Sequence, residues 1–179
     1  MWNQRNKPAL AYGVPTEFIE DLNINTINID QIVDDDSHLY LLDAHEGVLR
    51  VFDLDGNYLH TRMFYDYANG AFKLAVKDRC LYVSDPHSNV YVFVEGEFSQ
   101  FVERENAKNI LGNIDFEKSS TKYVIKTASV WEVRETGDIC VIERPLYSVL
   151  WQRRNRIAII VGLGFVFALI YLLLNKREK

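Results

Sequence analysis

The sequence predicts an all-β domain of about three four-stranded antiparallel units, followed by one C-terminal transmembrane helix. Three observations predict it. Short β-branched and aromatic segments alternate with turn residues across residues 22–145. Their pattern recurs at a spacing of 40 to 42 residues. Finally, Ile157–Leu174 runs for eighteen residues, IAIIVGLGFVFALIYLLL, without a charge or a proline.

Residues 1–21 carry Pro8, Gly13 and Pro15 and show no period, so an irregular lead-in is expected, with Trp2 and Tyr12 packing onto the domain. From Leu22 the apolar residues Leu22, Ile24, Ile27, Ile29 and Ile32 fall two or three apart. Asp34, Asp35, Asp36 and Ser37 then form a turn cluster. An EF-hand-type calcium loop would need a glycine and a distal glutamate at fixed offsets, and both are missing. Strands are expected at Ile29–Val33, Leu39–Leu42, Val48–Asp53 and Tyr58–Phe64. Asp55-Gly56 marks a hairpin, because glycine accepts the positive φ of a tight turn. The short links make the pairing antiparallel.

The pattern then repeats. Leu39-Tyr40 is matched by Leu81-Tyr82, and Asp43-Ala44-His45 by Asp85-Pro86-His87, both at a shift of 42. Leu49-Arg50-Val51-Phe52 is matched by Val90-Tyr91-Val92-Phe93 at 41, and Gly56 by Gly96 at 40. A third, degraded copy has Tyr123-Val124, Val130-Trp131-Glu132-Val133 and Gly137, with Lys126 and Ala128 where the Asp-x-His pair would stand. Such a period, with four strands per unit, is that of a propeller blade. The run Leu-Tyr-x-x-Asp, then Val-x-Val-Phe, then Asp-Gly or Glu-Gly, resembles the NHL-like repeats of six-bladed β-propellers over residues 29–143. Gly-His and Trp-Asp pairs are missing, which disfavours WD40, and no double glycine marks kelch.

Propellers close with about four to eight blades, and this chain has room for about three. Three architectures stay open: a ring completed by a partner or second copy, a shorter open or sandwich-like set of sheets, and a truncated relative. An open sheet edge invites pairing. Glu103–Leu111 reads as a short helix, stopped by Gly112, that covers such an edge. Pro145 ends the last strand, since it has no N–H to give a ladder.

Residues 146–156 form a basic juxtamembrane segment with Arg153, Arg154 and Arg156, and residues 175–179 a basic tail with Lys176, Arg177 and Lys179. The stretch 157–174 makes a helix of roughly 27 Å, enough with a flanking residue or two for a hydrocarbon core of about 30 Å. The lipid bilayer is therefore an expected partner. Trp151 and Tyr171 lie near the interfacial depths that aromatic rings favour. Ala158/Gly162 and Gly164/Ala168 are small-residue pairs four apart, a spacing that lets helices approach. Met1–Ala11 is too polar for a signal-peptide core, so the β domain is expected in the cytoplasm and the tail on the opposite side. Cations are balanced across the span, with Arg144 tipping the count toward the domain side.

Charge divides the chain. Residues 1–150 hold 14 Lys and Arg against 24 Asp and Glu, a net of −10, whereas residues 151–179 hold 6 against 1, a net of +5. An acidic domain lacks the basic footprint of a nucleic-acid binder, and anionic lipid head groups repel it. Cys80 and Cys140 have no metal or redox spacing and are expected as free thiols.

The candidate chemical residues are Asp43, His45, Asp85 and His87. Equivalent positions in adjacent units lie near each other, and two imidazoles with two carboxylates suit zinc or a similar ion. The competing expectation is that each aspartate closes its own turn by accepting backbone N–H bonds. His38 and His60 read as isolated surface residues. Nucleophile-elbow, phosphate-loop, dinucleotide and zincin motifs are missing. No cofactor is expected. The sequence therefore points to a membrane-anchored, non-enzymatic interaction or accessory subunit with a protein partner or a second copy. The alternative is a ligand- or metal-binding propeller, enzymatic or sensory, that uses the Asp-x-His pairs.

Overall fold

The computed structural model describes residues 12–18, 28–64, 70–116, 119–126 and 129–143. The strands are β1 (Thr16–Phe18), β2 (Gln31–Asp34), β3 (His38–Asp43), β4 (Val48–Asp53), β5 (Tyr58–Met63), β6 (Lys73–Lys77), β7 (Cys80–Ser84), β8 (Val90–Val94), β9 (Glu97–Val102), β10 (Tyr123–Lys126), β11 (Ser129–Glu132) and β12 (Ile139–Ile142), with one helix, α1 (Arg104–Asn113). Among the described residues all strand pairs are antiparallel and form three sheets. Sheet 1 has the order β1-β5-β4-β3-β2, sheet 2 β6-β7-β8-β9 and sheet 3 β10-β11-β12. The all-β expectation holds. Among the described residues no helix is long and apolar enough to cross a membrane. The stretch 157–174 lies outside the described residues, as do the flanks 146–156 and 175–179 and most of the lead-in.

The sheets stack on a period-2 alternation of side chains. Tyr40, Leu42, Leu49 and Val51 point from sheet 1 toward Leu74, Leu81, Val83, Tyr91 and Phe93 of sheet 2. The intervening Ile32, Leu39, Leu41 and Phe52 meet Tyr123, Val130 and Ile142 of sheet 3. Sheet 1 is thus buried on both faces, and β3 and β4 read accordingly as nearly continuous apolar runs. The far face of sheet 2, with Val90 and Val92, is covered by Ala107, Ile110 and Leu111 of α1. The stack runs sheet 3, sheet 1, sheet 2, α1. The helix therefore covers a sheet face rather than the edge expected from sequence.

The end of the helix and the lead-in differ from expectation. The helix runs through Gly112 to Asn113. A glycine costs about 1 kcal/mol in a helix interior, and the docking of Ile110 and Leu111 outweighs that. Asn113 Nδ2 donates to Asn109 O at 2.7 Å, and Lys77 Nζ donates to Asn113 O at 3.3 Å, satisfying carbonyls at the helix end. Thr16–Phe18, expected to be irregular, pairs with β5 as a fifth strand of sheet 1.

The three sheets share an irregularity that aligns them. Register shifts fall at Val51/Phe52, Val92/Phe93 and Val130/Trp131, each in a hairpin formed by the last two strands of its sheet. In the alignment of the repeats Val130 therefore corresponds to Val92 rather than Val90. The offset arises because two residues join β10 to β11, where five join β7 to β8. On this alignment sheet 3, among the described residues, shows no counterpart to the first strands, β2 and β6.

Strand β2 is the hub. Gln31 Nε2 donates to Leu74 O at 2.7 Å and to Phe116 O at 3.0 Å, while Leu74 N–H donates to Gln31 Oε1 at 2.6 Å. The carboxamide thus continues the ladder onto β6, the edge strand of sheet 2. On the other side Ser120 N–H donates to Ile32 O at 2.8 Å, and Ser120 Oγ to Asp34 Oδ2 at 2.6 Å. One four-residue strand therefore joins all three sheets. Gly56, at φ +86°, lies so close to Val141 that a Cβ would sit 2.2 Å from its carbonyl oxygen, which seats the β4–β5 turn on sheet 3.

Candidate functional site

The predicted residues sit in two loops at one end of the stack. Asp43 ends β3 and residues 44–47 join it to β4, while residues 85–89 join β7 to β8. Between them runs the segment 70–72: Phe72 N–H donates to Ala44 O at 2.9 Å, and a Cβ on Gly70 would meet Pro86 at 2.4 Å. His45 and His87 are exposed, and Asp43 and Asp85 are buried.

Both carboxylates are engaged with their own loops. Asp43 Oδ1 accepts the N–H groups of His45 at 3.3 Å and Glu46 at 3.1 Å, and Oδ2 accepts that of Asn28 at 3.2 Å. Burial raises the Asp43 pKa; nearby Asp30 and Glu46 add to the rise, and the bonds from Glu46 and Asn28 oppose it. Asp85 Oδ1 accepts from His87 N at 2.9 Å and Asn89 N at 2.8 Å, and Oδ2 accepts from Asn89 Nδ2 at 2.7 Å. Among the described residues no three His, Cys, Asp or Glu side chains come together as a metal site would require. A cation at either aspartate would compete with backbone donors already in place.

The Asp85 loop has a twin that the histidine spacing does not reveal. In both Asp53–Asn57 and Asp85–Asn89 the aspartate N–H donates to the asparagine carbonyl at 3.0 Å. In both, the fourth residue donates back to the aspartate carbonyl, at 3.1 Å from Gly56 and 3.0 Å from Ser88. In both, the asparagine backbone and side-chain nitrogens bind the two carboxylate oxygens at 2.7–2.8 Å. The fourth residue has positive φ, +86° at Gly56 and +70° at Ser88. The legible signal was an aspartate followed four residues later by an asparagine. The bonds from Asn57 hold the Asp53 pKa below the ordinary aspartate value. Asn89 does more: its Oδ1 accepts Arg104 N–H at 2.8 Å, capping α1 where Glu103 makes no side-chain cap, and its Nδ2 reaches Tyr12 Oη at 2.9 Å. Asp85→Ala is expected to cost about 1–3 kcal/mol, because it orphans several donors, and Asp85→Asn about half as much. The difference should appear in the Tm of the full chain in detergent.

A second polar group lies between sheets 1 and 2, at the end marked by the β8–β9 turn. His38, Tyr40, His60 and Arg62 share the sheet 1 face that looks at sheet 2, since Val51 pairs with both Tyr40 and His60 and Leu49 pairs with Arg62. Neither histidine is the isolated surface residue expected from sequence. Asp35 Oδ1 accepts Ser37 N–H at 2.9 Å and His38 N–H at 2.7 Å. Its Oδ2 accepts Tyr40 Oη–H at 2.6 Å and lies 3.5 Å from His38 Nδ1. Burial, then the Asp35 carboxylate, raise the Tyr40 pKa and hold the phenol protonated. Arg62, 4% exposed, reaches three elements through Nη2: Glu17 of β1 at 2.6 Å, Gly96 O at 3.2 Å and Glu97 of β9 at 3.4 Å. Its guanidinium also lies 5.4 Å from the centre of the Phe93 ring. Gly96, at φ +80°, closes the group from above, with His38 Cε1 3.2 Å from where a Cβ would be. These side chains scatter over residues 17–97, so no local motif announces them.

Compared with known protein families, curated proteins and solved structures, the chain matches none. What the two polar groups can do rests on their geometry. The loop end presents two loops closed by hydrogen bonds to their aspartates, and the inter-sheet group holds two imidazoles beside a buried cation.

Proposed function

We propose that the chain is a membrane-anchored, non-enzymatic interaction subunit. The stacked sheets present the 43–47, 70–72 and 85–89 loops to a protein partner or a second copy. The stretch 157–174 holds the domain at a bilayer, with the β domain on the cytoplasmic side. One observation carries this reading: Asp43 and Asp85, the best-placed carboxylates for chemistry, each accept three hydrogen bonds within or beside their loops. Loops so fixed lose little conformational entropy on docking, which favours recognition. The blade-like period and the resemblance to NHL-like repeats support the same reading, since propeller loops serve as docking surfaces. An acidic domain suits a partner with a basic or neutral face.

Native-detergent extraction followed by mass determination of the intact complex tests the proposal. A dimer or a heteromer is the expected result. A mass of one chain plus detergent would sink it. Topology is read separately from protease protection in inside-out vesicles, where the β domain is expected to be digested.

A further inference from the structure

We propose that the seam between sheets 1 and 2 is an acid-responsive joint, in which protonation of His60 beside Arg62 loosens the bridge that runs from β1 through Arg62 to the β8–β9 turn. This does not rest on the interaction reading above. His60 Nε2 is buried and has no hydrogen-bond partner, so a proton placed there finds no acceptor. Arg62 Nε is likewise buried and unpartnered, so this cation is held by its Nη2 contacts and tolerates a second cation poorly. The groups around His60 come from every neighbouring element. They are Arg62 on β5, Glu17 on β1, Glu97 on β9 and His38 on β3, with Asp35 and Tyr40 joined to the group through His38. Glu17 and Glu97 favour the imidazolium, but both are substantially exposed and their pull is screened. Burial, and then Arg62, outweigh them and lower the His60 pKa.

The sign follows from linkage. A lowered folded pKa means that the unfolded or opened chain binds the proton more readily than the closed one. The stabilisation is fully present above the ordinary histidine value of about 6.5, and it is lost as pH falls below that value toward the folded pKa. Opening is expected first at β1, a three-residue strand that among the described residues is laddered to β5 and tied to the seam by the Glu17–Arg62 pair, with Tyr12 ahead of it bonded to Asn89.

Amide hydrogen exchange on the full chain in detergent, at about pH 7.5 and about pH 5.5, tests the joint. Corrected for intrinsic rates, exchange in residues 16–18 and 58–63 is expected to rise about three- to tenfold on acidification, since one linked proton allows at most about tenfold per pH unit. His60→Gln should abolish the rise, while His45→Gln and His87→Gln should keep it. Unchanged wild-type exchange, or a full rise in His60→Gln, would overturn the proposal. Should His60→Gln not fold, histidine NMR titration of the wild type decides. A His60 midpoint below about 6.5 that tracks the exchange supports the joint, and a midpoint at or above that value overturns it.

Discussion

Phe64→Ala is expected to lower the stability of the β domain by about 3–5 kcal/mol, a large part of the roughly 5–15 kcal/mol that a domain has in total. Phe64 follows β5 and is 1% exposed. Its ring stands 5.5 Å from Phe72, 4.9 Å from Tyr91 and 6.2 Å from Phe93, so it is where sheet 1, the 70–72 segment and sheet 2 meet. Truncation removes apolar burial and leaves a cavity. That cavity cannot close easily, because Tyr91 and Phe93 sit on β8, which is laddered on both sides. Phe64→Leu keeps more of the volume and should cost about half as much. Thermal unfolding of the full chain in detergent gives both values. A loss below about 1 kcal/mol for the alanine variant would contradict the packing described for this seam.

Gln31→Ala is expected to cost about 2–4 kcal/mol through a different mechanism. It removes one carboxamide and orphans three backbone groups, Leu74 N–H, Leu74 C=O and Phe116 C=O. A buried polar group without a partner costs its full desolvation. Gln31→Glu keeps the acceptor for Leu74 N–H but sets a carboxylate against two carbonyl oxygens, so it should not rescue the loss. Residue-resolved exchange gives an independent reading. The Leu74 amide, on the edge strand of sheet 2, should lose protection in Gln31→Ala, while Leu81 and Val83 in the interior strand keep theirs. Equal protection of Leu74 in both proteins would show that another group supplies the bond.

These variants also separate what could be read from the chain from what could not. The strands were legible because their signal is local: β-branched and aromatic residues at period 2, bounded by Asp, Asn and Gly. The nearly continuous apolar runs of β3, β4 and β8, against the half-polar β9, carry the fact that the first three are interior strands and β9 is an edge. The turns were legible in part. Asp43 and Asp85 close their loops as one of the two expectations had it, whereas the Asp-to-Asn spacing that completes the Asp53 and Asp85 turns lies behind the Asp55-Gly56 dipeptide in one and the Asp-x-His pair in the other. The His60–Arg62 group was not legible at all. Its members lie on four strands, and a histidine that alternates with polar neighbours looks like any solvent-facing residue until the opposing sheet is in place.

The amino-acid sequence by itself determined the all-β class, the position of most strands, their antiparallel pairing through short links, and the apolar stretch at 157–174. Each of these depends on residues a few positions apart, where periodicity and turn chemistry act directly. Only the tertiary structure decided how the sheets stack. The period of about 41 residues does not say which sheets adjoin: α1 takes the far face of sheet 2, and sheet 3 lies on the other side of sheet 1. The physical reason is that an apolar face specifies only that it be covered. Which element covers it is settled by contacts distant in the chain, here Gln31 to Leu74 and Ser120 to Ile32 and Asp34, and such contacts leave no period to read.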